Sequence, residues 1–120
     1  MLVFVGVKAE ADYQIRKAAA RLDRVAERRK LLLERASAAA AVLRSEFGAG
    51  RVWLFGSLRW PWFHEESDLD LAAEGIDPAR IGQAWDRISE LVGQPVDLVS
   101  LDEAPDTLRR RILESGEVLA

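Results

Sequence analysis

The chain has 120 residues, 49% apolar and 31% charged, with no cysteine and a net charge of -3. This length supports one domain with a modest core, and the composition excludes disulfides and thiolate metal sites. Residues 1–50 carry 10 Lys and Arg against 6 Asp and Glu (+4), whereas residues 51–120 carry 7 against 14 (-7). So acidic a second part argues against nucleic acid as the usual partner, because a phosphate backbone needs a basic track.

Met1 to Val7 is apolar but too short to span a membrane, and it lacks the basic start and cleavage site of a signal peptide. It is expected to form a short strand or a docked tail, and the reading is of a cytoplasmic protein without membrane contact. From Lys8 to Phe47 there is no Gly or Pro, and Ala, Leu, Arg and Glu predominate, which favours helix. Apolar residues recur at three-four spacing through Ile15, Leu22, Val25, Leu32, Leu43 and Phe47, interrupted by Arg29. One helix of ~40 residues would be about 60 Å long and would overhang its own domain. Its stripe would then need a second copy or a partner helix. A hairpin broken near Arg28-Arg29-Lys30 is the alternative.

Gly48-Ala49-Gly50 ends the helix. A strand is expected at about 51–55, a turn or short helix from Ser57, and a second strand at about 68–73. Asp77-Pro78 opens a helix with Ile81, Trp85, Ile88 and Leu91/Val92 as its buried face and Gly93 as its stop. A third strand at about 96–101 precedes a helix around 104–115, with Leu108 and Ile112 facing inward. Arg109 to Arg111 lie on that helix's exposed face, and Val118-Leu119 docks on the core. The layout is α/β, a small mixed sheet of about three strands flanked by helices, with a long N-terminal helix.

The chemistry concentrates between the first two strands. Gly56-Ser57 follows the apolar run Val52 to Phe55, and Asp68-Leu69-Asp70 follows ten residues after Ser57. A Gly-Ser pair after a strand offers backbone N–H groups and a hydroxyl to a phosphate. Carboxylates at i and i+2 on a strand project from one face. Asp97 is a third candidate, in the run Val96 to Val99. Several convergent carboxylates suit Mg²⁺ ions bridging protein and nucleotide. Trp53 is expected in the core. Trp60 and Trp62 would line a base pocket, form a protein-binding patch or pack locally, and the lone His64 reads as solvated.

These motifs resemble the DNA polymerase beta-like nucleotidyltransferases, and within them the minimal nucleotidyltransferases of toxin–antitoxin pairs. Val52 to Ser57 looks like that family's first strand and phosphate loop, Ser67 to Leu71 its metal strand, and Val96 to Val99 its third-carboxylate strand. The ending from Arg111 to Leu119 is similar as well. The resemblance covers roughly residues 40–120 and implies a helical extension at 1–47 and a nucleotidyltransferase domain at 48–120. It implies that Asp68, Asp70 and Asp97 hold two Mg²⁺ ions. It also implies that Gly56, Ser57 and Arg59, with Asp68 and Asp70, bind ATP or another NTP. The implied reaction is transfer of AMP to an acceptor, a tyrosine of a small helical HEPN-type toxin, with the chain acting as antitoxin. Where relatives often carry a small residue and Arg-Gly, this loop has Leu58-Arg59-Trp60-Pro61, and Pro61 has no N–H to donate. That departure keeps open an alternative, a weak or inactive module that neutralises its partner by contact alone.

Overall fold

The computed structural model describes residues 2–56 and 68–119, with side chains from Ala9 onward. Helix α1 runs unbroken from Leu2 to Phe47. No break occurs at Arg28 to Lys30, because no residue there disfavours helix, and extending a helix costs less than nucleating a second one. The same cooperativity explains a correction. Leu2 to Val7, expected as a strand or tail, continues α1. The helix ends at Gly48, after which the Ala49 N–H donates to the Leu43 carbonyl at 3.0 Å.

Among the described residues the sheet has four strands: β1 (Val52–Phe55), β2 (Leu69–Ala73), β3 (Val96–Ser100) and β4 (Glu117–Leu119), ordered β3-β2-β1-β4. Strand β1 pairs antiparallel with both β2 and β4, while β2 and β3 are parallel. A parallel pair needs a crossover, and α2 (Ile81–Val92) supplies it. The Asp77 carboxylate caps a short 3-10 turn at Pro78–Arg80 by accepting from the Ala79 N–H at 3.0 Å, and this turn leads into α2. The fourth strand was expected only as a docked end. Its three residues carry too little alternation to read as a strand, and pairing with β1 decides their state.

Two cores lie on the two faces of the sheet. Val52, Leu54, Leu69, Leu71, Val96 and Leu98 face α1 and α2, where Leu32, Ala36, Ala39, Leu43, Ala84, Ile88 and Val92 are buried. The buried positions of α2 are thus 84, 88 and 92. Trp85 lies off that face and is 39% exposed, contrary to expectation, with its indole N–H donating to the Val96 carbonyl. Leu91 is also exposed. On the other face Trp53 and Ala72 pack with Leu101 and with Ile112 of α3 (Asp106–Ser115), with Leu108 beside them. Arg109, expected on the exposed face, instead donates to the Leu101 and Asp102 carbonyls at 3.0 and 2.8 Å and fastens α3 to the preceding turn.

Among the described residues, it is the part of α1 from Val25 onward that packs on this body. Arg35 donates to the Val92 carbonyl at 2.8 Å and Arg44 to the Leu119 carbonyl at 3.1 Å, tying α1 to α2 and β4. The molecule measures 71 × 29 × 21 Å, and the long dimension belongs to α1.

Candidate active site

Strand alternation decides which residues share the face covered by α3. On β1 these are Trp53 and Phe55, on β2 Asp70 and Ala72, on β3 Asp97 and Val99. Helix α3 covers the end holding Trp53 and Ala72. The other end presents the carboxylates. Asp70 is the register partner of Phe55 on one side and of Asp97 on the other. Asp68 precedes β2 by one residue and is exposed, as is Asp97, while Asp70 is half-buried.

The Asp70 pKa is pushed up from 3.8 to about 6, first by burial, then by the nearby charge of Asp97 and a hydrogen bond to it, and last by the charge of Asp68. Burial disfavours any charge on Asp70, and the neighbouring carboxylates disfavour a further negative charge beside their own. Such a cluster is stabilised by a proton at low pH or by a cation above it.

Gly56 closes the site from β1. Its φ is +77°, in the left-handed region, and a Cβ built there would overlap the Asp70 carboxylate. Glycine is required twice over, for the backbone turn and for the approach to Asp70. Gly56, Asp68, Asp70 and Asp97 are thus brought together. Ser57 and Arg59, with Trp60, Pro61, Trp62, Phe63 and His64, lie outside the described residues. Phe55, a further residue beside the cluster, packs against the Trp53 core and is the register partner of Asp70. An aromatic inside an apolar run reads as core, and only the register with Asp70 reveals its place.

An all-oxygen donor set of this kind suits a hard cation such as Mg²⁺. The close approach of the Gly56 backbone to the Asp70 carboxylate, which a Cβ there would overlap, is consistent with that fit. Among the described residues no group of three His, Cys, Asp or Glu side chains is already closed to metal-holding distance. Asp70 and Asp97 form the close pair, and Asp68 acts on it through charge.

A family model described as Polymerase beta, Nucleotidyltransferase, matches residues 38–120. The chain belongs to this nucleotidyltransferase family. The match begins inside α1, at the half that packs on the body. One solved structure similar to this nucleotidyltransferase is a protein provisionally named a minimal nucleotidyltransferase, 28% identical, covering 82% of this chain and 94% of that one, with a TM-score of 0.52. A toxin–antitoxin structure with AMP-PNP is 22% identical over 70% of this chain and 72% of that one, with a TM-score of 0.60. A variant MntA–HepT toxin–antitoxin structure is 23% identical over 67% of each chain, with a TM-score of 0.58. At such identities the last two show a shared fold. No curated protein matches the chain significantly.

Proposed function

We propose that the chain transfers a nucleoside monophosphate, AMP from ATP, to a hydroxyl of a partner protein in a toxin–antitoxin pair. The observation that carries this reading is the pairing of Asp70 and Asp97 on neighbouring strands, with Asp68 close by and Gly56 against them. Family membership supplies the reaction class. The toxin–antitoxin setting is supported by the structural neighbours, one of which was solved with AMP-PNP.

In this reading Asp68, Asp70 and Asp97 hold two Mg²⁺ ions, which when bound offset the carboxylates' repulsion and neutralise charge on the phosphates. Gly56 lets the backbone approach the phosphates, Ser57 donates a hydrogen bond to them and Arg59 adds positive charge. The acceptor oxygen bonds to the α-phosphorus as the bond from that phosphorus to the bridging oxygen breaks, releasing pyrophosphate. Asp97, exposed at the open end of the face, takes the hydroxyl proton. Phe55 and the covered end of the sheet fix the carboxylates, so catalysis rests on positioning and charge. The acceptor is a tyrosine of a HEPN-type toxin, brought to the site by the partner protein.

Calorimetry of ATP binding with Mg²⁺ tests the site. Wild type should bind and Asp70→Asn should bind at least tenfold more weakly while keeping the same far-UV circular dichroism. Equal affinities would remove Asp70 from the site and favour the contact-only module.

A further inference from the structure

Strand β3 carries Asp97 and, among the described residues, forms one edge of the sheet. Its inner side is held by β2. Just past the strand, the Leu101 N–H donates to the Ala73 carbonyl at 2.8 Å. Backbone groups alternate along a strand that pairs in parallel, so the Val99 and Asp97 N–H groups turn toward β2 as well. The C=O and N–H of a trans peptide are opposed, and the Val96 carbonyl of the same peptide must therefore point outward. An outward carbonyl on an edge has no neighbouring strand to accept from. Trp85 supplies the donor: its indole N–H bonds to the Val96 carbonyl.

Packing alone does not account for a tryptophan at this position. Trp85 lies off the buried 84, 88, 92 row of α2, belongs to neither core and is 39% exposed. The one donor on its ring is what the position uses. We propose that Trp85 is a positioning residue for Asp97, a role that rests on the proposed reaction in that Asp97 there holds Mg²⁺. The indole clamps the outer end of the Val96–Asp97 peptide while β2 holds the inner end. The Val96 side chain is buried on the face that meets α1 and α2, so the pinned peptide turns the Asp97 carboxylate to the other face, beside its register partner Asp70. Trp85 belongs to α2, across the sheet from the carboxylates, and acts through the backbone. Hydrogen bonds behind a metal ligand set its direction, and a ligand on an edge strand has only one strand to supply them.

Calorimetry of Mg²⁺–ATP binding to Trp85→Phe tests this role, since phenylalanine keeps a ring and removes the donor. The variant should bind about tenfold more weakly than wild type, with the same far-UV circular dichroism. Placed on Asp97→Asn, the same substitution should change affinity less than about twofold, because the carboxylate it positions is already gone. Equal affinities of wild type and Trp85→Phe would overturn the role and leave the reaction standing. So would a tenfold loss that persists on Asp97→Asn, which marks general loosening of the fold. A wild type that binds no Mg²⁺–ATP would remove the reaction and this role together. The Trp85 indole N–H resonance of the ¹⁵N-labelled wild type gives a readout that needs no substitution. It should shift as Mg²⁺–ATP is added, and a resonance unmoved at saturation would overturn the role.

Discussion

Asp70 is held where its charged form is disfavoured, and this has a consequence for stability. Its folded pKa of about 6 lies above the ordinary 3.8, so the folded state binds this proton more tightly than the unfolded chain does. The contribution is fully present below pH 3.8 and is lost as pH rises through about 6. A shift of about two units is worth ~3 kcal/mol, which screening of a half-exposed group reduces to ~1–2 kcal/mol. Without divalent cation, Asp70→Asn should therefore stabilise the fold by ~1 kcal/mol near neutral pH and by almost nothing near pH 4. Urea melts at the two pH values measure this, and an equal effect at both would show that the carboxylates do not converge. Gly56→Ala should cost ~1–3 kcal/mol, because the alanine must accept a strained φ and push Asp70 aside. A thermal melt unchanged by that substitution would contradict the contact.

The elements repeat this logic in packing. Ala36, Ala39 and Ala40 are fully buried and let α1 lie close on the sheet, and Leu43 is fully buried in the same core. Leu43→Ala should lose ~2–5 kcal/mol by opening a cavity. Ala39→Leu should lose ~1–3 kcal/mol by overpacking. Denaturant titrations yielding under ~0.5 kcal/mol for both would mean that α1 is not docked as described. These elements also mark what could be read from the residues alone. The long helix, three strands, the Asp77-Pro78 start and the aspartate spacing all rest on local patterns of period, breakers and caps. Strand β4 did not, because Glu117 to Leu119 become a strand only through β1. Leu2 to Val7 misled because their strand propensity yields to the helix they extend. Trp85 misled because hydrophobicity placed it inward, whereas the 84, 88, 92 row of smaller residues fits the sheet. Of the candidate site, Asp68 and Asp70 are named from their spacing and Asp97 from its strand-like run. The pairing of Asp70 with Asp97 and Phe55 is a matter of register, which the sequence leaves unspecified.

The molecule as a whole joins an acidic nucleotidyltransferase body to a basic helix projecting from it. The net charges of -7 and +4 on the two parts of the sequence suit different surfaces. The cluster at one end of the sheet faces away from the α1 core, so a partner protein can reach the carboxylates without displacing the helix. The claim that the carboxylate cluster transfers a nucleotide is tested most directly by intact-mass spectrometry. The purified chain would be incubated with the protein encoded beside it, ATP and Mg²⁺. The wild type should add one or more AMP-sized increments to that protein, and Asp70→Asn should add none. A tight complex with no mass increment under any nucleoside triphosphate or divalent cation would contradict nucleotidyl transfer and leave binding alone as the means of neutralisation.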